Sequence, residues 1–330
     1  MSTAAFALIA FILAMYVLLD GYDLGVGAIT PLIARSDRER EASMRSIGPF
    51  WNGNEVWLIA GGGALFALFP LAYASSFSGF YLPFIVVLWL LMFRGIAMEL
   101  RSHFPSEIWH QFWDACFAAS STLLILLFGV ALGNLLRGLP LNASEYFMGT
   151  FAFLLNPYAL LVGVFALAVL AQHGAIFVML RIDGTPSKRA RTLYGGLWIS
   201  AVVLLPAVTA ATTLVRAGVL RTPWVDAVGT LALVSLVWSR VAVSRDRPVQ
   251  AFGASCAFIL ALLASAAGTL YPYLIPAYPP GHRGLSIFDA SPSPYALTTA
   301  LTVIIAGLLA VIAYSSIVWR HFTTKIRIAE

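Results

Sequence analysis

Six ionisable residues lie in stretches that are otherwise oily: Asp20, Asp23, Glu55, Arg94, Glu99 and His173. A charge in hydrocarbon costs at least ~2.5–3.5 kcal/mol, so each is a candidate for chemistry. Rows of Asp, Glu and His are how membrane proteins relay protons. Asp20 and Asp23 stand three residues apart, as do Asn52 and Glu55, so each pair shares a helix face. Two carboxylates that face each other in a low dielectric cannot both ionise cheaply, and one is expected to take up and release a proton. The spacing therefore predicts a proton-handling group centred on Asp23 and Glu55, with Asp20, Asn52, Glu99 and His173 along the route. A plainer reading stands beside it, in which Arg94 neutralises Glu99 or Glu55 in a structural ion pair. His173 alone is open between haem ligation, proton relay and a hydrogen bond across helices.

The elements that must hold these groups follow from composition. The chain has 330 residues, 60% hydrophobic and 11% charged, with a mean hydropathy of +0.86. Soluble domains are about a quarter charged, so a chain this apolar could not cover its surface in water. The class is an all-α polytopic membrane protein forming one transmembrane domain over residues 1–330. Spans need ~20 apolar residues, and nine stretches qualify: 4–32, 48–73, 78–99, 112–136, 155–181, 192–216, 223–243, 249–272 and 294–319. The first is read as a retained span, since no basic stretch or small-residue cleavage site precedes its polar residues. A ten-residue loop joins the first two spans, and "ASSFS" at 74–78 reads as a short loop between the next pair.

Nine spans put the termini on opposite sides. With the N-terminus outside, 16 of the 20 Lys and Arg fall in inside segments; the outside holds only Arg137, Arg216, Arg221 and Arg283. The topology is N-terminus outside, C-terminus inside. The net charge of +5 reflects that loop bias, and no basic run interleaved with aromatics suggests nucleic acid. At ~1.5 Å of rise per residue, Asp23 lies ~18 Å from Arg35, Glu55 ~15 Å from Arg45 and His173 ~12 Å from Arg181. The buried ionisable groups thus gather in the cytoplasmic half.

Other features read as packing. Gly21, Gly25, Gly27 and the Gly61–Gly63 run let helices approach closely. Cys116 and Cys256 match no disulfide or metal pattern, and Met15, Met92, Met98 and Met179 fill space. Asp114, near Trp109 and Trp113, reads as an interfacial anchor, with a role in proton uptake second. The Pro- and Tyr-rich segment 271–295 reads as a stiff outer cap or partner contact. There is no phosphate-binding loop, dinucleotide glycine fingerprint, haem-attachment motif or HExxH metal motif.

The segments "DGYDLGVG" (20–27), "WNGNEVWLIAGGGALFALFP" (51–70), "FRGIAMELR" (93–101), "GVALGNLLRGLPL" (129–141), "LLNPYALLVG" (154–163) and "SIFDAS" (286–291) resemble, in order and spacing, subunit II of the cytochrome bd-type quinol oxidases. The resemblance implies a complex in the bacterial cytoplasmic membrane that oxidises quinol and reduces O₂ to water. It implies two four-helix bundles plus one peripheral helix, and a partner subunit I that carries two haems b and haem d; no haem or other metal is expected on this chain. It further implies that the chain supports subunit I and conducts protons from the cytoplasm. It leaves open a bound quinone and a small single-span third subunit. Many members have Asp, assigned to the proton path, where this chain has Asn52. Since Asn cannot ionise, Glu55, where some members have Gln, is expected to take over the titrating role. Trp57 matches a residue near the family's oxygen route.

Two other functions stay open at this point. A proton-coupled carrier would also place ionisable residues near the midplane beside broken helices. A scaffold within the oxidase would need no proton path.

Overall fold

The computed structural model of the chain describes residues 1–142, 146–216, 223–279, 284–322 and 324–327. It is mostly helical, and eight of its helices are long and apolar enough to cross a membrane. The first helix, α1 (Ser2–Ile33), is the hub; every residue from Asp20 to Gly27 on it is buried. A short helix, α2 (Asp37–Ile47), follows where the sequence suggested a loop. Its signal is local. Ser36 accepts from the Glu39 backbone while Glu39 reaches back to the Ser36 N–H, a reciprocal cap that satisfies two orphan donors.

The expected second span, 48–73, is divided. α3 runs Trp51–Leu68 and α4 runs Pro70–Gly79, with Phe69 between them at φ −144°, ψ 69°. The physical reason is Pro70, whose ring pushes the preceding residue out of helical geometry. Residues 74–78 consequently lie inside α4, and the chain reverses at Phe80 into α5 (Tyr81–Leu100). With its polar start and this early stop, α3 is not among the eight apolar spanning helices.

A 3₁₀ turn at Arg101–His103 leads to α6 (Glu107–Arg137) and the short α7 (Phe151–Leu154). Then come α8 (Pro157–Arg181), α9 (Thr185–Val215), α10 (Pro223–Ser244) and α11 (Pro248–Leu270). A two-stranded antiparallel ribbon, β1 (Tyr273–Ile275) with β2 (Leu285–Ser286), precedes α12 (Pro294–His321). Asn156 and Ser293 cap α8 and α12 with their side chains, and each helix carries proline at its start, where no N–H is missed. α8 is the most enclosed helix, with every residue from Ala168 to Met179 buried.

α1 packs on α3, α6, α8 and α11; α5 packs on α6, α8 on α9, α10 on α11, and α12 on α3. The glycines explain one of these contacts. Gly25 of α1 meets Gly174 of α8 backbone to backbone, so closely that a Cβ on either would overlap main-chain atoms of the other helix. Gly21, Gly27 and Gly61 are also in tight contacts, as expected, whereas Gly62 and Gly63 face open space.

Charge pairing sorts the two ends of the molecule. One end joins Arg101 to Asp114 and Asp37, Arg189 to Glu39, Arg191 to Asp246 and Lys325 to Asp183. The opposite end joins Ser2 to Ser291 and holds Arg137 between the rings of Phe153 and Tyr278. Two of the four basic residues expected outside, Arg221 and Arg283, lie outside the described residues, as do positions 280–283 of the outer cap. The rest of that cap is tied to the end of α6 by Leu139 and Tyr278 backbone bonds.

Glu39 fastens α2 to α9. Its carboxylate accepts from the Arg35 and Ser36 backbone, from Thr185 Oγ1 and from Arg189 Nη1. Burial alone would raise its pKa, but these donors outweigh burial and hold it down at about 2. A folded pKa below the unfolded value gives stability that is fully present above the ordinary value of 4.5 and lost as pH falls toward 2. Glu39→Gln should therefore lower the thermal unfolding midpoint at pH 7, by ~1–3 kcal/mol of stability. The gap to the unaltered protein should narrow as pH falls below 4.5, read from melts in detergent across a pH series.

Candidate functional site

Three helices converge on one guanidinium. Arg94, on α5, donates through Nη1 and Nη2 to both oxygens of Asp20 on α1, at 2.9 and 2.7 Å. Its Nη2 also donates to Glu55 Oε1 on α3, at 3.0 Å. Arg94 and Asp20 are fully buried, while the Glu55 side chain keeps 24% of its surface exposed. The two-pronged Arg–carboxylate bond is the strong geometry, and it fixes Asp20. Glu55 holds Arg94 through one oxygen only, so its other oxygen is open to exchange.

One cation thus serves two carboxylates, and a third lies a turn away. Asp23 is fully buried, and its Oδ2 accepts at 2.7 Å from Asn54 Nδ2, a neutral donor. The same amide nitrogen lies 2.8 Å from Tyr22 OH and 3.2 Å from the Leu19 carbonyl. Two N–H bonds face three acceptors, so the amide can alternate between them.

The expected site residues divide accordingly. Asp20, Glu55 and Arg94 are brought together. Asp23 is near them but bonded to Asn54, so Asp20, and not Asp23, is the carboxylate that shares a partner with Glu55. The expected partner Glu99 is not in the ion pair; it is exposed at the end of α5, five residues from Arg94 and on another face. Asn52 is exposed as well.

The residue that sequence reasoning missed is Asn54. The buried positions of α3 are Asn54, Trp57, Gly61, Ala64 and Leu68. That 3-4-3-4 repeat marks the face turned to α1 and was available in the sequence. Trp57 is buried on this face, its ring edge-on to Phe11.

His173, on α8, stands apart from this group. Its Nδ1 is 2.8 Å from Ser255 Oγ and its Nε2 is 3.2 Å from the Leu18 carbonyl. Phe252 stacks on the ring at 5.0 Å. With both nitrogens engaged and a face covered, the ring does not fit ligation of a haem iron. Among the described residues no three His, Cys, Asp or Glu side chains converge as a metal site would require.

An open cleft of about 440 Å³ lies at the basic end, lined in part by Asp37, Glu99, Arg101 and His110. Asp37 sits here with its pKa lowered: burial opposes the shift, but the Arg101 bond and charge and the His110 contact outweigh it. Trp51 belongs to the same wall, and its ring lies against Gly95, next to Arg94. Trp51 is one helical turn before Glu55 on α3. The cleft therefore ends about one turn short of the Arg94 group. Asp114 is held by Arg101 and Arg40.

Comparison with known proteins adds four findings. Residues 1–322 match the family described as cytochrome bd terminal oxidase subunit II. The chain is 31% identical to cytochrome bd-I ubiquinol oxidase subunit 2 of Escherichia coli strain K12, covering 96% of this chain and 92% of that one. It is 30% identical to cytochrome bd ubiquinol oxidase subunit 2 of Bacillus subtilis, covering 98% and 96%. Its fold is similar to a chain in the structure of bd oxidase from Geobacillus thermodenitrificans, with a TM-score of 0.78 at 19% identity over 97% of this chain and 98% of that one.

Proposed function

The chain belongs to the cytochrome bd terminal oxidase subunit II family, and on that footing we propose that it conducts protons from the cytoplasm toward the O₂-reducing centre of a quinol oxidase. As subunit 2 of a respiratory terminal oxidase it is a multi-pass membrane protein, and the carrier alternative falls away. In the proposed assembly, α1, α3, α5 and α6 form one four-helix bundle and α8–α11 the other, with α12 peripheral. Together they make nine crossings of the bacterial cytoplasmic membrane in a single domain. The N-terminus is outside and the paired basic end faces the cytoplasm. The haems b and haem d belong to the partner subunit I and supply electron transfer and O₂ reduction there. Quinol is the electron donor, lipid surrounds the helices, and a bound quinone or a small third subunit would add to this complex without altering the route.

The observation that carries the reading is the uneven sharing of Arg94. Asp20 takes the guanidinium with two bonds and stays fixed, while Glu55 takes it with one and remains partly open. A proton collected in the cleft, where Asp37, Glu99 and His110 lie, passes the Trp51 wall and reaches the free oxygen of Glu55. Protonation releases Glu55 from Arg94 without leaving that cation alone, because Asp20 still neutralises it. Asp23, one turn nearer the basic end on α1 than Asp20, offers an acceptor alongside Glu55 as Asn54 exchanges its bond to Tyr22. His173, held by Ser255 and Leu18, orients α1 against α8 and α11 and is not needed on the route. The oxygen route at Trp57 rests on the resemblance alone.

Glu55→Gln tests the proposal in the purified complex. Quinol-driven O₂ uptake should fall roughly 100-fold or more, a typical effect of losing a proton-transfer group, while the haem spectrum is unchanged. The bidentate Arg94–Asp20 pair favours the competing reading, a structural scaffold. Full turnover with an unaltered membrane potential in vesicles would establish the scaffold and exclude the proton route.

A further inference from the structure

Four buried polar atoms around the Arg94 group lack any protein hydrogen-bond partner: Asp23 Oδ1, Arg94 Nε, Trp57 Nε1 and Tyr16 OH. Such atoms are uncommon in folded proteins, and each demands an account. Here they come from three helices and gather along one face of α1. Tyr16, Asp20 and Asp23 are spaced four and three residues apart, so they form a single stripe. Trp57 is placed beside that stripe by helix register. Asn54 bonds to residues 19–23 of α1, and Gly61 touches Ile12 and Leu13. Trp57, between them on α3, therefore stands opposite the stretch around Tyr16, and both rings belong to one packed cluster. Tyr16 keeps only 3% of its surface exposed and its ring lies edge-on to Phe128 at 5.5 Å. Apolar packing thus surrounds an indole N–H, a guanidinium N–H and a carboxylate oxygen without a protein partner, and a Tyr16 hydroxyl that lies near the Asp20 carboxylate without closing a well-formed bond to it. Buried water with two to four polar partners is the ordinary solution to that arrangement.

We propose that a short file of buried water links the Asp20–Asp23–Arg94 group to Tyr16, and that the Tyr16 hydroxyl is the relay beyond Glu55, about one turn further from the basic end than Asp20. This rests on the proton-conduction reading above and extends it. In each step the phenol oxygen accepts a proton from the water on the Asp20 side as its own proton passes to a second buried water of the file on its far side. The hydroxyl ends neutral, and no electron moves. Trp57 only donates; it positions the water and is not itself a relay.

Tyr16→Phe in the intact oxidase complex tests this, because it removes the hydroxyl and keeps the ring. Quinol-driven O₂ uptake should fall several-fold, with a larger solvent deuterium isotope effect and unchanged haem spectra. Unchanged turnover and isotope effect in Tyr16→Phe, with Glu55→Gln slow, would overturn the Tyr16 relay and leave the Glu55 route standing. Normal turnover in Glu55→Gln would overturn both, whatever Tyr16→Phe does. A high-resolution experimental map of the complex gives a second readout. Ordered density bridging Trp57 Nε1 to the Asp23–Tyr16 stripe supports the file, and dry, collapsed packing there overturns it.

Discussion

Arg94→Leu is expected to prevent a stable, haem-bearing complex from accumulating. The guanidinium is fully buried and is the shared partner of Asp20 and Glu55. Removing one member of a buried pair leaves an uncompensated charge, at a cost of ~3–5 kcal/mol. Asp20 would suffer most, since it is fully buried and loses two bonds at once, whereas Glu55 loses one bond and is only partly buried. Two further variants identify the cause. Arg94→Lys keeps the charge but loses the planar fork that serves both carboxylates, so it should recover only part of the yield. Asp20→Asn combined with Arg94→Leu removes the stranded charge and should fold better than Arg94→Leu alone. The measurements are membrane yield, haem content and the unfolding midpoint in detergent. A normal yield and midpoint for Arg94→Leu would mean that the Arg94–Asp20 pair does not hold the fold together.

Gly25→Ala should be nearly as damaging, for a reason of space alone. A Cβ at Gly25 would lie 2.0 Å from the Leu170 carbonyl oxygen and 2.9 Å from the Gly174 nitrogen, while a Cβ at Gly174 would lie 2.3 Å from the Gly25 carbonyl carbon. These neighbours are main chain and cannot rotate aside, so α1 and α8 would have to part. The bond from His173 to the Leu18 carbonyl and the contact of Leu170 with Gly21 lie on the same seam. Overpacking on the order of 3 kcal/mol is expected, at the upper end of its usual range. Gly62→Ala is the control, since its Cβ would meet nothing within 4 Å, and alanine favours helix over glycine by about 1 kcal/mol. A fall in unfolding midpoint for Gly25→Ala with none for Gly62→Ala is the result to look for. Equal effects would show that helix propensity, and not the α1–α8 seam, sets the outcome.

These two variants mark what the sequence made legible. Long apolar runs announced most helices, because a membrane-length stretch of oil has few other uses. Charges within those runs announced Asp20, Glu55 and Arg94, because charges are costly there. Choosing partners was harder. Period and spacing place a side chain on its own helix, but which helix faces it is set by packing across the bundle. Asp20 and Arg94 are 74 residues apart in the chain, and no local rule pairs them. Asn52 is a different case. Spacing from Glu55 linked the two, yet the apolar repeat that includes Asn54 decides which face of α3 turns inward. α2 was hidden in a polar stretch, although the Ser36–Glu39 cap was written in it. The break at Phe69 was legible in Pro70 but was outweighed by the apolar run on either side.

That break has a consequence for how the chain crosses the membrane. Between Val56 and the last residue of α3, Leu68, the apolar rise is ~20 Å at ~1.5 Å per residue, against a hydrocarbon thickness of ~30 Å. α3 alone is therefore too short to cross, and α4, beyond the break, has to complete the passage. The transmembrane voltage falls across the low-dielectric layer. In the proposed orientation Glu55 stands at its inner margin. A proton moving outward from there crosses most of the potential, at ~2.3 kcal/mol per 100 mV.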